Sequence, residues 1–185
     1  NCDFIIAIGG GSVIDVAKLI KIFATNAGEQ ISYIKKKKNI ENKGNILVAI
    51  PTTSGSGSEA TQFAVVYLNK TKHSLDHEFA LPDYAIIDPQ LTISLPSYLT
   101  ASAGMDALSQ AIESYWSINS TEKSKEYAKK SIKLIMNNLS DSVNSQTKES
   151  REAMAMAAHL AGKAINISKT TASHAISYPI TSYFN

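Results

Sequence analysis

Five apolar residues, Phe4 to Ile8, run straight into Gly9-Gly10-Gly11-Ser12. After them Val13, Ile14, Val16, Ala17, Leu19 and Ile20 recur at helical spacing between Asp15, Lys18 and Lys21. This order constrains the chain more than any other feature, because it specifies strand, glycine turn and helix, the building unit of an α/β layer. With no polar residue alternating in it, the strand is predicted to be buried on both faces. Glycines at such a turn allow a ligand close to the backbone, and the first helical amides attract an anion such as a diphosphate. A plain tight reversal with Ser12 as N-cap satisfies the same residues. The spacing is neither G-x-G-x-x-G nor a P-loop, so the turn alone does not choose between the two readings.

Further along, Ile46 to Ile50, Ala64 to Leu68 and Tyr84 to Ile87 are strand candidates, and roughly Ser12 to Ala24 is a helix. Beyond Pro96 the pattern changes. Leu99 to Trp116, Ser120 to Leu139 and Lys148 to Ile167 read as three long helices, with apolar stripes such as Ile132, Ile135, Met136, Leu139 and Met154, Ala157, Ala158, Ala161. The expectation is an α/β domain over residues 1–95 followed by a helical domain over 96–185. The 44% hydrophobic content suffices for a core, and a net charge of +2 gives no basis for nucleic-acid binding. The run Lys35 to Lys38 carries no interleaved aromatic residue and reads as a solvated loop. No segment has the apolar length of a membrane span, and the single cysteine, Cys2, excludes an internal disulfide, so a cytoplasmic protein is expected.

A second glycine loop, "PTTSGSGSEAT" from Pro51 to Thr61, follows the strand "ILVAI". Small hydroxyl residues with free amides at the carboxyl end of a strand suit an anion or ribose cradle, the alternative being a flexible loop. The blocks "AIGGGSVIDVAK", "PTTSGSGSEAT", "LPDYAIIDPQL" and "GMDALSQAIESYWS" together resemble, in order and separation, those of the iron-containing (group III) alcohol dehydrogenases. The resemblance runs through the chain. It implies a dehydroquinate-synthase-like fold in which an α/β domain binds NAD(P) and an all-helical domain holds a divalent metal, Fe2+ or Zn2+. It also implies a homo-oligomer at full length, with the family's first strands preceding Asn1 and several of its helices following Asn185. By the same resemblance Gly10, Gly11 and Ser12 wrap the cofactor pyrophosphate, and Thr52, Thr53, Ser56 and Thr61 touch phosphate, ribose and nicotinamide. Lys72, eleven residues before Asp83, would bond the nicotinamide ribose.

Asp106 and Gln110 stand four apart, so both project from one helix face and can grip one ion. The family usually has histidine where this chain has Gln110. A neutral amide oxygen suits calcium better than iron or zinc, so it either ligates weakly or leaves room for water. In "KTTASHAISYPIT" the resemblance makes His174 a metal ligand and puts Tyr178 where a histidine beside the nicotinamide is common; a phenol there can still hydrogen-bond or relay a proton. The family's remaining histidine ligand is expected beyond Tyr178, outside this chain. His73, Asp76 and His77 read as solvated loop residues remote from the ligand helices, and His159 as a packed or surface residue of an alanine-rich helix.

Lys169, Thr170 and Thr171 immediately precede the His174 segment, with Lys163 on the helix before, and a lysine beside two hydroxyls suits a phosphonate or carboxylate. With Gln110, this segment resembles the branch that includes hydroxyethylphosphonate dehydrogenase (phosphonoacetaldehyde reductase). A simple primary alcohol or aldehyde is the alternative substrate, an amino-sugar precursor a third. The departures at Gln110 and Tyr178 also fit a protein that binds nucleotide without catalysis. No nucleic-acid or membrane partner is expected.

Overall fold

The structure, a computed structural model, describes residues 2–69 and 71–184. Its first part contains β1 (Phe4–Gly9), α1 (Gly11–Phe23), the short α2 (Gln30–Ile34), β2 (Ile46–Pro51), β3 (Phe63–Leu68), β4 (Thr71–Asp76) and β5 (Tyr84–Ala85). Four helices follow: α3 (Ser97–Trp116), α4 (Glu122–Asn144), α5 (Lys148–Ser168) and α6 (Ala172–Phe184). β1, β2 and β5 form a parallel sheet in the order β1-β2-β5, with Gly9 opposite Pro51. Both glycine loops therefore leave the same end of the sheet.

α1 covers one face of this sheet through Ala7, Ile14, Ala17, Leu47 and Ala49. Among the described residues nothing covers the other face of β1, where Phe4, Ile6 and Ile8 are each more than half exposed, in contrast to the expected burial on both faces. Side chains alternate across a strand, and α1 supplies a layer on one side only. The opposite flank of α1 packs on the β3–β4 hairpin, where Ile22, Ala64, Leu75 and Ala80 are buried together. β4 was expected to be loop. Its one buried apolar residue, Leu75, gives little local signal, and the strand forms because apolar β3 provides a pairing edge, a case of tertiary context outweighing propensity.

The helices α3, α4 and α5 pack around Ala107, Ala111, Ile135, Met154, Ala157, Ala158 and Ala161. The predicted stripes hold except at Met136, which is 68% exposed, because Ile132, Ile135 and Leu139 already fill the inward face. Thr121 and Ser124 form a reciprocal capping box that starts α4, and Thr147 caps α5. The sequence reading did not assign α6 as a helix; it continues through Pro179 and buries no residue completely. The two parts meet where Gly57 (φ +61) lies against Gly162 of α5, so closely that a Cβ on Gly57 would come within 2.6 Å of the Gly162 Cα. Beside this contact His159 Nδ1 pairs with the buried Glu59 at 3.1 Å, which gives His159 a specific partner. Buried Arg151 adds bonds to Thr100 Oγ1 (2.9 Å) and the Leu95 carbonyl (3.1 Å).

Candidate active site

The glycine loops touch each other at the carboxyl end of the sheet. Thr52 N donates to the Gly9 carbonyl at 3.0 Å. A Cβ on Gly11 would lie 2.6 Å from Ser56 Oγ, so glycine at position 11 is what lets the second loop close over the first. At Gly10 a Cβ would meet Thr53 at an ordinary 3.4 Å. No side chain caps the start of α1, leaving its N-terminus open as an anion cradle requires, and Ser12 stands in the first turn instead of capping it.

Below the loops lies a clamp that sequence reasoning missed. Lys18, fully buried, donates to Ser58 Oγ (2.9 Å), Thr61 Oγ1 (3.2 Å) and the Phe63 carbonyl (2.6 Å). Asp15 accepts from Ser58 Oγ (2.6 Å) and Val65 N (3.0 Å). Together they tie α1 to the second loop and to β3. Burial lowers the Lys18 pKa to about 8, against the attraction of Asp15 and Glu59. The one signal available was their place on the first two turns of α1, directly after the glycine loop.

Across a cleft of about 540 Å³, α3 and α6 supply the second half of the site. Gln110 Nε2 donates to Asp106 Oδ2 at 3.0 Å, and His174 Nε2 lies 3.3 Å from Asp106 Oδ1. His174 Nδ1 is 2.5 Å from Oε1 of Glu113, a buried carboxylate one turn beyond Gln110. Glu113 Oε2 also accepts from Thr171 N (2.5 Å) and Thr171 Oγ1 (2.7 Å). Glu113 was not singled out from the sequence, although its spacing from Asp106 and Gln110 puts all three on one face of α3. Burial alone would raise its pKa; the Thr171 and His174 hydrogen bonds outweigh that and lower it. The His174 pKa is raised, first by its bond to Asp106 and then by Glu113, against burial.

The cleft gathers Ser56, Thr61 and Lys72 of the predicted cofactor residues with Asp106, Gln110, His174 and Tyr178. Gly10, Gly11, Ser12, Thr52 and Thr53 stand on the loops outside this lining. His73 and Asp76 were expected far from the ligand helices, but strand pairing turns β4 toward α6 and both line the cleft. His77 instead caps a short 3-10 turn, its Nδ1 accepting from Phe79 N at 3.2 Å. The Lys35–Lys38 run is exposed as expected, with Lys36 reaching the cleft rim. Lys72 holds its ammonium 3.1 Å from the Tyr178 ring centroid, and burial lowers its pKa against the pull of Asp106 and Asp15. Burial raises the Tyr178 pKa, keeping the phenol protonated, while a Thr170 hydrogen bond opposes the shift. Lys169, the candidate anion seat, is not free: its Nζ pairs with Asp76 Oδ2 at 2.7 Å over the Phe63 ring.

Among the described residues no three His, Cys, Asp or Glu side chains converge as a ligand group. The pair Asp106–His174 nevertheless fits an ion. With Nδ1–H given to the ionised Glu113, a neutral His174 turns its Nε2 lone pair toward the Asp106 carboxylate, a repulsive contact unless a proton or metal cation lies between them. Two donors sharing an ion at about 2.0–2.2 Å stand roughly 3.0–3.5 Å apart. Gln110 Oε1 beside them is buried without a hydrogen-bond partner, an acceptor that a cation would satisfy.

The model of the iron-containing alcohol dehydrogenases matches residues 1–89, and that of the C-terminal part of the Fe-containing alcohol dehydrogenase family matches residues 100–185. The chain belongs to the iron-containing alcohol dehydrogenase family. Long-chain-alcohol dehydrogenase 1 of Geobacillus thermodenitrificans (strain NG80-2) is 40% identical, over 99% of this chain and 47% of that protein. The NAD-dependent methanol dehydrogenase of Bacillus methanolicus is 40% identical, over 97% of this chain and 48% of that protein. Among solved structures, sulfoacetaldehyde reductase from Bifidobacterium kashiwanohense in complex with NAD+ superposes with TM-score 0.94 at 38% identity, covering 99% of this chain and 50% of the other. An iron-containing alcohol dehydrogenase from Thermotoga maritima gives 0.92 at 34%, covering 100% and 50%. The chain thus spans about half the length of the relatives it matches, and its α/β part followed by helices is their fold.

Proposed function

We propose that the whole protein is an NAD(P)-dependent, metal-containing alcohol dehydrogenase that moves a hydride between NAD(P)H and a small aldehyde or alcohol. The observation that carries this reading is a cleft that sets Ser56 and Thr61 of the second glycine loop and Lys72 opposite Asp106 and His174. Gly10, Gly11, Ser12, Thr52, Thr53, Ser56 and Thr61 would hold the cofactor, and Lys72 would reach its ribose. Asp106, His174 and Gln110 would hold a divalent ion, Fe2+ or Zn2+, which when bound supplies Lewis acidity toward the substrate oxygen. Tyr178 remains a phenol, a donor able to pass a proton at the mouth of the site. The α/β region 1–95 and the helical region 96–185 act as the two walls that exclude water.

For the substrate, we favour a short aldehyde with an anionic tail, as in phosphonoacetaldehyde giving 2-hydroxyethylphosphonate. Support comes from Lys169 and Thr170 in the lining and from the similarity to an enzyme that reduces an aldehyde bearing a sulfonate. The long-chain-alcohol and methanol dehydrogenases among the relatives favour a general alcohol dehydrogenase as the second reading. The test is NAD(P)H oxidation by full-length, metal-loaded protein with phosphonoacetaldehyde and propanal side by side. A kcat/KM at least about tenfold higher for the phosphonate, an advantage of about 1.4 kcal/mol, supports the first. Equal values support the second, and cofactor binding without turnover of either would mark a nucleotide-binding protein that has lost catalysis.

A further inference from the structure

Glu113 is almost fully buried, and its side-chain bonds all go to one short stretch of chain. It meets His174 Nδ1 at 2.5 Å, Thr171 N at 2.5 Å and Thr171 Oγ1 at 2.7 Å. Trp116 Nε1 donates to the same Thr171 hydroxyl at 3.3 Å. His174, on α6, is tied to α3 by polar contacts to Glu113 and Asp106. Of these the Glu113 contact is the shorter, 2.5 Å against 3.3 Å.

We infer that Glu113 is a positioning residue for the ion site: it holds His174 with Nδ1–H toward itself, so that Nε2 faces Asp106 and Gln110 as a ready donor to a divalent cation. This rests on the reading of Asp106 and His174 as the ion-holding pair. An ionised carboxylate has acceptors only, so the bonded ring nitrogen must donate and the free lone pair belongs to Nε2. The negative charge behind the ring also makes Nε2 a stronger donor. Glu113 touches neither substrate nor cofactor in this scheme; it acts through His174.

The test uses full-length protein, Co2+ as the probe, and binding measured by the visible absorption of the bound ion. Asp106→Ala should abolish binding, and Glu113→Gln should weaken it by about 10- to 100-fold with a changed spectrum. Thr171→Val removes a hydroxyl bond to Glu113 but leaves the His174 contact, so it should lower the melting temperature of the metal-free protein while Co2+ affinity stays close to that of the parent. In Zn2+-loaded parent protein, a 15N spectrum should show the His174 proton on Nδ1, a readout that does not depend on any variant folding. Parent-like Co2+ affinity in Glu113→Gln, an equal loss in Thr171→Val, or an unprotonated Nδ1 would each overturn the role of Glu113 while leaving the ion site in place. A parent protein that binds no Co2+, or an Asp106→Ala variant that binds it undiminished, would overturn the ion-site reading and this inference with it.

Discussion

Lys169 Nζ lies 2.7 Å from Asp76 Oδ2, so an ion pair spans the cleft from the end of α5 to β4. Lys169, at the C-terminal end of α5, has a positive φ of 64°, a conformation uncommon outside glycine. An anionic substrate must therefore share or displace Asp76 to use this lysine. Asp76→Asn should lower KM for phosphonoacetaldehyde, and Lys169→Ala should raise it by about 10- to 100-fold, the 1.5–3 kcal/mol of a charged hydrogen bond. Propanal, which has no charged tail, should respond to neither. Steady-state kinetics on both aldehydes would check this, and equal losses on both would make the pair structural.

The glycine loops separate two effects. Gly11→Ala should cost stability, because its Cβ would overlap Ser56 Oγ at 2.6 Å and push the loops apart. Gly10→Val should weaken NAD(P)H binding more than folding, since a Cβ there is in ordinary contact with Thr53 at 3.4 Å while the larger side chain enters the cradle. Fluorescence titration with NADH beside thermal melts of both variants distinguishes the two. Parent-like NADH affinity in Gly10→Val would rule out the cradle.

Asp83 is held by fully buried Lys21 (2.7 Å), by Lys43 (2.7 Å) and by Leu47 N (2.9 Å). Burial would raise its pKa, but these bonds win and lower it to about 2. A lowered carboxylate pKa means stability that is present above the unfolded value near 4 and lost as pH falls toward 2. Asp83→Asn should flatten that acid limb in urea melts at stepped pH. It should also cost about 3–5 kcal/mol at neutral pH, because the Lys21 ammonium is left buried without its counter-ion.

Lys18 gives the opposite limb. Its folded pKa of about 8 lies below the ordinary 10.5, so between these values the unfolded chain binds a proton that the folded one does not, and stability from this residue rises with pH. Lys18→Met should remove this alkaline rise. It should also weaken cofactor binding by freeing Ser58 and Thr61, as read by denaturation at pH 8 to 10 and by NADH titration.

The strand–glycine–helix units and the helices α3 to α5 were legible because each is specified locally, by apolar period, glycine placement and capping residues. Asp106, Gln110 and His174 were named as candidates from residue type, helical spacing and a family resemblance, and the fold brings the three side chains together. What the sequence could not carry was everything that depends on a partner distant in the chain. β4 exists only because β3 pairs with it, and that pairing brought His73 and Asp76 from an apparent loop to the wall of the cleft. Phe4, Ile6 and Ile8 look like core residues to a local reading, and among the described residues α1 covers only the other face of β1. Lys18 and Glu113 look like surface charges in sequence because charge normally seeks water. They are buried because hydroxyls, carbonyls and an imidazole 40 to 61 positions away satisfy them, and such pairings are decided when the chain folds back on itself.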